Sequence, residues 1–287
     1  MNHAKRRRRN REKDLFRIES ETGWWLIMHP DHARLAGDFA AAWGNAEFSR
    51  PQPRARVLKS IACHDDGWAG PDAHPSITRE GKPAAFATEL VGKYSSFEEI
   101  DLDEYLEVRD RSVRVAGEED PYAGLLIAMH TYNLITTHTL RSTIAADGLV
   151  LLDGFLSRLI AYQDELRSKI AQDTTLSTTE AREQTILEQF RLLQACDNLS
   201  LLTCVGYRSP ADLLHPLPLN NGGAREVKVL PVAPYHFRLD PWPFNERELS
   251  FTFPARHVMG KVFPNSEHLE NAFRAASREQ LRVELSS

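Results

Sequence analysis

The sequence predicts a mainly α fold, in which a helical body carries a small C-terminal β-rich region, an α+β arrangement. Long segments between Pro30 and Val205 repeat apolar residues at helical spacing and are bounded by proline, aspartate and glycine. After Tyr207 the chain changes to proline-rich turns and short runs that alternate apolar and polar residues. The length of 287 residues and the hydrophobic content of 42% suit one large domain, or one domain with a smaller appendage.

The body is predicted to begin with strands and to continue as helices. Residues 15–28 predict two short strands around a turn at residues 21–23. Asp31 is a good N-cap for the first helix, and Asp120 followed by Pro121 at the first helical position starts a later one. Residues 72–117 are rich in turn formers and predict loops and short helices. The helices predicted in the body are residues 31–44, 54–67, 121–146, 148–170 and 180–205.

The C-terminal region is predicted from strand-like runs and one helix. Residues 226–230 and 249–253 alternate apolar and polar side chains, as strands do, and a helix at residues 266–276 precedes a last strand at residues 280–285. The predicted domains are a basic disordered arm, a helical domain with an N-terminal β-hairpin, and a β-rich region packed on that domain. Their boundaries are residues 1–13, 14–206 and 207–287.

Charge is unevenly distributed along the chain. The net charge is −5, but residues 1–13 hold seven basic residues and one acid, so this segment is +6 and the rest is −11. A short basic arm can bind nucleic acid electrostatically, whereas the alternative is a solvated segment with no specific role. The acidic remainder argues against a nucleic-acid-binding body and favours a cation site.

Three further features indicate a cytoplasmic protein. Apolar runs stay shorter than the roughly 20 residues that span a bilayer, so we expect no membrane segment. The first 13 residues lack the apolar stretch of a secretory signal. The three cysteines form no CxxC pair, and a sparse, odd count indicates buried thiols in a reducing compartment.

The pentapeptide HDDGW, residues 64–68, ends the apolar face of a predicted helix. His64, Asp65 and Trp68 are the next members of a stripe formed by Val57, Leu58, Ile61 and Ala62. Burying an unpaired carboxylate is costly, so Asp65 needs a cation or hydrogen-bond donors. A divalent metal ion would satisfy His64 and Asp65 together. Asp66 is either a functional neighbour of this pair or a solvated residue at the helix end.

Asp197 interrupts a second apolar stripe. It lies four residues after Leu193 and four before Leu201, on a face that Phe190 and Cys204 continue. A lone aspartate at such a position predicts a buried polar contact, which is either a metal ion or a neighbouring helix cap or salt bridge. Cysteines beside the candidate ligands are ordinary core residues.

Histidines occupy the same kind of position on two other helices. Leu126 and Ile127 lead to His130, and Leu134 continues that face. His138 lies eight residues beyond His130, about 80° further round the helix, and is less well aimed at the same cavity. His32 lies in the first turn of its helix. A single inward histidine is more often a hydrogen-bonded core residue, but ligand-type residues on several separate helices favour a shared metal site for Mn, Fe, Zn or Mg.

The order His32, His64–Asp65, Asp197 resembles the H…HD…D ligands of the HD-domain superfamily of metal-dependent phosphohydrolases. Several segments more closely resemble the bacterial family called domain of unknown function 3891. These segments are DHARLAGDFAAAWG (residues 31–44), IACHDDGW (61–68), DPYAGLLIAMH (120–130), LLQACDNLSLLTC (192–204) and PWPF (241–244). The resemblance implies an HD-like helical bundle with an appended β region, and it brings no known activity. His29 stands where such proteins often have glutamine, so it is not taken as a ligand.

The resemblance implies a hydrolase site. His32, His64, Asp65 and Asp197 would hold a divalent metal, and a small phosphate ester or nucleotide would be the substrate. His130 would be a further ligand or would act on the substrate, and Asp66 would be a general base or would support a ligand. Trp68 and His138 would line the pocket. The alternative is a non-catalytic HD-like module that binds a small molecule or a partner.

Overall fold

The described residues contain more helix than strand. The computed structural model describes residues 15–93 and 101–287, so the predicted arm at residues 1–13 lies outside the described residues. The helices are α1 (His29–Ala42), α2 (Arg54–Cys63), α3 (Ala69–Asp72), α4 (Leu102–Glu119), α5 (Pro121–His138), α6 (Ala146–Gln172), α7 (Glu183–Cys204) and α8 (Ser266–Ala275). In the part of the chain that the structure describes, no helix is both long enough and apolar enough to cross a membrane.

The strands form a seven-stranded sheet and a separate pair. They are β1 (Phe16–Glu19), β2 (Gly23–Ile27), β3 (Ala211–Asp212), β4 (Leu217–Pro218), β5 (Ala224–Arg225), β6 (Lys228–Ala233), β7 (His236–Asp240), β8 (Glu248–Met259) and β9 (Arg278–Ser286). The large sheet has the order β1-β2-β8-β9-β7-β6-β3, and β4 pairs with β5. Neighbouring strands are antiparallel except β7 and β9, which are parallel.

The prediction of a mainly α fold, with an HD-like bundle and a small β region, is wrong. About 50% of the described residues are helical and 21% are in strands, and the seven-stranded sheet curls into a half-barrel, so the fold is α+β. The prediction failed because the N-terminal hairpin joins the C-terminal strands in one sheet. Strand β2 pairs with β8, with Trp24 opposite Val258, so both ends of the chain contribute to one sheet. Pairing across more than 200 residues has no local sequence signal.

Helix boundaries agree with the sequence where a cap is strong. Asp120 accepts hydrogen bonds from the backbone N–H groups of Tyr122 and Ala123, which confirms the predicted start of α5. Helix α5 ends at His138 rather than near residue 146, and α2 ends at Cys63 rather than near residue 67. Helix α1 begins at His29, so the expected cap, Asp31, lies within its first turn.

The 18-residue helix α4 was not predicted. It lies in the segment that was expected to form loops and short helices, residues 72–117. Its buried face carries Arg109 and Ser112 beside Leu106 and Val113, so polar residues interrupt the apolar periodicity. The prediction failed because apolar spacing is the main helix signal, and here two buried polar residues weaken it.

The helical layer packs on the curled sheet through α1. Phe39 of α1 makes an edge-to-face contact with Phe251 of β8, with ring centroids 5.0 Å apart. The opposite side of α1 faces α2 and α7, and the buried residues of these three helices belong to the main hydrophobic core. Helix α1 is therefore packed between the sheet and the other helices.

Candidate metal centre

Three histidines and two aspartates from four parts of the chain converge in the helical layer. His32 comes from the first turn of α1, His64 and Asp65 follow α2, His130 comes from α5 and Asp197 from α7. All five are buried, with exposures between 1% and 8%. Ionisable groups this deep require partners, because burial disfavours their charged forms.

The HDDGW segment brings two of these residues together by ending a helix. His64 keeps helical torsion angles (φ −58°, ψ −25°), and Asp65 leaves them (φ −115°, ψ 17°) before a short 3₁₀ turn at Asp66–Trp68. The change of direction buries Asp65 and Trp68 and leaves Asp66 exposed. Gly67 lets the turn approach α4, where its N–H donates to Ser112 Oγ at 3.0 Å.

Asp197 lies at the middle of the cluster. Its Oδ1 is 2.8 Å from His32 Nε2 and 3.2 Å from His64 Nε2. Its Oδ2 is 3.8 Å from His130 Nε2. Asp65 Oδ2 approaches the same region at 3.5 Å from His64 Nε2. The donor atoms form two sets, and within each set all atoms lie within 4.8 Å of one another. His32, His64 and Asp65 form the first set, and His64, His130 and Asp197 form the second.

The backbone fixes the orientation of the His64 ring. His64 Nδ1 lies 2.8 Å from the carbonyl oxygen of Ile61, and only a protonated Nδ1 can donate to that oxygen. In the neutral ring, Nε2 then carries a lone pair, and this lone pair faces the carboxylate oxygen of Asp197. Two acceptors at 3.2 Å require a cation between them or a proton on Nε2. This arrangement of a backbone-held imidazole with a free Nε2 is typical of histidines that bind metals.

His32 and His130 are less constrained. Their Nδ1 atoms are buried and have no hydrogen-bond partner among residues 15–93 and 101–287. Phe16 packs against the His32 ring with centroids 4.5 Å apart, and the His130 ring lies edge-on to His64 at 5.2 Å. On their Nδ1 side, packing rather than hydrogen bonding therefore holds these two rings, and His32 contacts Asp197 through its Nε2.

The electrostatics of the cluster favour a bound cation. Burial opposes charge on His64, but Asp65 and Asp197 outweigh it and raise the pKa of His64 to about 9. At His130 burial prevails and lowers the pKa to about 4, and burial also lowers the pKa of His32. Burial would raise the pKa of Asp197, but the hydrogen bonds from His32 and His64 hold it well below its usual range. The site therefore contains ionised carboxylates beside one strongly basic histidine, His64, and two weakly basic histidines, His32 and His130.

Arg109 of α4 is a member of the site that was not predicted from the sequence. Its Nη1 donates to Asp65 Oδ1 at 2.6 Å, which leaves Oδ2 to face His64. Burial disfavours ionised Asp65, but Arg109 overcomes this effect and lowers the pKa of Asp65. The available signal was the position of Arg109 three residues after Leu106 and four before Val113, on the apolar stripe of α4.

The cluster opens onto a cleft with a volume of about 120 Å³. His32, Asp65, His130 and Asp197 form its polar end, together with Arg109. Its other lining residues are Phe16, His29, Trp68, Phe86, Tyr105, Leu134, His138 and Leu201. Trp68 and His138 thus lie on the cleft, where they were expected.

Asp66 does not join the cluster. Its side chain is exposed, and Oδ1 lies 3.5 Å from Arg34 Nη2. Adjacent residues at a helix end project in different directions, so Asp66 lies on the outside of the turn that directs Asp65 inward. The structure therefore separates the two aspartates of HDDGW.

A second buried pair, His29 and Asp72, borders the cleft. Asp72 accepts a hydrogen bond from the His29 backbone N–H at 2.6 Å, and its other oxygen lies 3.0 Å from His29 Nδ1. The His29 ring stacks on Trp68 with centroids 4.8 Å apart. His29 was not predicted to be a ligand. In the structure its Nδ1 contacts Asp72 rather than the cluster.

One comparison with known proteins gives a match. The model of the family described as "Protein of unknown function (DUF3891)" matches residues 15–259, which is most of the chain, and the chain belongs to this family. No curated protein and no solved structure matches it.

Proposed function

We propose that this DUF3891 protein is a divalent-metal-dependent phosphohydrolase that acts on a small phosphate ester or nucleotide. The observation that carries the proposal is the contact between His64 and Asp197. A backbone-held imidazole presents Nε2 to a carboxylate oxygen at 3.2 Å, deep in the protein, with further histidines and a second carboxylate around it. A divalent ion satisfies all of these donors at once.

The proposed metal ligands are His32, His64, Asp65 and Asp197, and His130 is available as a further donor. Imidazole and carboxylate donors suit Mn, Fe, Zn or Mg, and the absence of cysteine from both donor sets argues against a closed structural zinc site. The order of these residues along the chain also resembles the ligand order of HD-type phosphohydrolases, and it supports the proposed reaction without requiring their fold.

The chain supplies the surroundings that such a reaction requires. A bound divalent ion would lower the pKa of a water molecule and polarise a phosphoryl oxygen. Arg109 holds Asp65 in place through one carboxylate oxygen, as the partners of metal ligands commonly do. The aromatic walls of the cleft reduce the access of bulk water, which strengthens the electrostatic interactions within it.

The proposal is tested by measuring the metal content and the turnover of variants at two adjacent residues, Asp65 and Asp66. Asp65→Ala should lose both, whereas Asp66→Ala should keep both, because Asp66 is exposed and points away from the cluster. Asp65→Asn keeps the shape of the side chain and removes its charge, so it provides a second test if the alanine variant does not fold. The assay is elemental analysis beside a phosphatase screen with several divalent metals. An Asp65 variant with full metal content and full activity would contradict the assignment.

The second candidate function is a non-catalytic module that binds a small molecule or partner. The observation that favours it is that both carboxylates already have partners in the protein: Asp65 contacts Arg109, and Asp197 contacts His32 and His64. Protein purified without added metal separates the two candidates. Retained metal supports the hydrolase, and a site without affinity for any of the four metals supports the binding module.

A further inference from the structure

Arg109 lines the cleft as a buried cation with unused hydrogen-bonding capacity. Its side chain is 10% exposed, its Nη1 donates to Asp65, and Tyr105 forms a further hydrogen bond with it. Its Nε is buried and has no hydrogen-bond partner among the residues that the structure describes. A guanidinium carries five N–H donors in a fixed plane, a geometry suited to carboxylate or phosphate oxygens. Arg109 is therefore equipped to contact an anion in the cleft.

Aromatic side chains hold Arg109 in position. Its guanidinium lies over the Trp68 ring at 5.5 Å and over the Tyr105 ring at 5.4 Å. These two rings are 5.9 Å apart and belong to the cleft wall. Because the rings restrict the side chain, Arg109 loses little conformational freedom when it binds a ligand.

The rest of the cleft is lined by apolar and flat side chains. Phe16 and Phe86 form an edge-to-face pair with centroids 6.0 Å apart, and Leu134 and Leu201 complete the wall. The ring of His29 also lines the cleft and packs against both Trp68 and Phe16. Such walls favour a compact apolar group, above all an aromatic ring.

The volume of the cleft limits the size of the ligand. It is about 120 Å³, below the roughly 300–1,000 Å³ of pockets that enclose drug-sized molecules. A phosphate group with one small ring suits this space, whereas a nucleotide would leave part of itself outside. The size of the cleft thus separates the two substrate classes in the proposed function.

The charge of the cleft depends on the metal. The formal charges of Asp65, Asp197 and Arg109 sum to one negative charge, and a bound divalent ion would change this sum to one positive charge. An anion should therefore bind the metal-loaded protein better than the metal-free protein.

We propose that the cleft binds a small aryl-type phosphate ester, with its anion on Arg109 and its ring against Trp68 and the facing apolar wall. The hydrolysis of this ester rests on the proposed function, whereas its binding does not. Inert analogues separate the contributions: phenylphosphonate has the ring and the anion, methylphosphonate has the anion alone, and phenol has the ring alone.

Titration calorimetry on the full chain, with and without Mn²⁺, provides the test. Phenylphosphonate should bind the loaded protein at least about 10-fold more tightly than either partial analogue, because a charged hydrogen bond and ring packing add. Arg109→Gln should weaken both phosphonates by about 10- to 100-fold, and Arg109→Lys should restore part of the loss. Arg111→Gln, on the exposed face of the same helix, should change nothing. Trp68→Leu should weaken phenylphosphonate by about 2- to 10-fold more than methylphosphonate, which is weakened only because Arg109 loses one of the two rings that position it.

The outcomes distinguish this inference from the proposed function. Metal binding without phosphonate binding, or equal phosphonate affinity in wild type and a folded Arg109→Gln variant, overturns the inference and leaves the metal site intact. Binding of phenylphosphonate that needs Arg109, in a protein with no affinity for any of the four metals, supports the inference and overturns the metal-dependent function. Equal affinity for phenylphosphonate and methylphosphonate overturns the aryl part. Circular dichroism and elemental analysis of each variant show whether fold and metal content are retained.

Discussion

Asp197 shows how one buried charge organises the site at the scale of single residues. It projects from an apolar helix face into a space where three histidine Nε2 atoms lie within 3.8 Å of its carboxylate oxygens. The carboxylate of Asp197 contacts the His32 and His64 rings, and it is one of the causes of the raised pKa of His64. A variant without this charge would lose both effects. The sequence left two roles open for this residue, a metal ligand or the partner of a neighbouring helix cap or salt bridge.

Asp197→Asn should abolish tight metal binding while leaving the shape of the site unchanged. We expect a loss of metal affinity of at least about 10- to 100-fold, the range found when partners of metal ligands are removed. Competition with a chelator measures it. Asp212→Asn, an exposed position in β3, is the matched control and should retain metal. Equal chelator resistance in the two variants would argue against Asp197 as a ligand.

Asp72 is expected to contribute to stability. Its side chain is 0% exposed and accepts hydrogen bonds from the His29 backbone and ring. Asp72→Ala leaves these buried donors unpaired, so the free energy of unfolding should fall by about 2–5 kcal/mol. Asp153→Ala removes an exposed pair with Arg141 and should cost about 0–1 kcal/mol. Denaturant unfolding measures both, and similar losses would show that the Asp72 pair is not structural.

At the scale of elements, the turn after α2 depends on a glycine. A Cβ at position 67 would lie 2.5 Å from the Val108 backbone oxygen of α4, whereas a Cβ at Gly70 would meet nothing within 4 Å. Gly67→Ala should therefore destabilise the protein by about 1–3 kcal/mol and lower metal affinity, because the turn that carries Asp65 must move. Gly70→Ala should leave both unchanged. Thermal unfolding and metal titration of the pair test this, and a Gly67→Ala variant identical to wild type would refute the close packing.

Sequence reasoning identified elements and ligand candidates where the signal was local. The cap at Asp120 and the inward positions of His64, Asp65 and Asp197 each follow from the residue spacing within a single helix. The structure brings the last three residues together. Arg109 escaped notice because its partner, Asp65, lies 44 residues away. A buried arginine is recognisable only once the carboxylate that it neutralises is known.

At the scale of the whole molecule, the fold class was mispredicted because the sheet unites distant segments. Short runs in the sequence predicted β1, β2, β6, β8 and β9, but nothing in Trp24 or Trp25 indicates pairing with Val258 or His257. The sheet also contacts the end of α1 that carries His32, because Phe16 of β1 packs on the His32 ring and Arg278 of β9 pairs with Asp31. The metal-site candidates are helical, but their position depends on strands from both ends of the chain.

Strand β9 should be essential although it lies beyond the segment that the family model matches, residues 15–259. It occupies the sheet between β8 and β7 and buries Val283 and Leu285. A chain that ends at Met259 leaves two edges unpaired and removes α8, so it should lose its cooperative unfolding transition and its metal. A chain that ends at Ser286 keeps the whole strand and should match the full protein. Calorimetry with elemental analysis measures both properties. If the shorter chain unfolded at the same temperature with full metal content, the sheet could not be what supports the site.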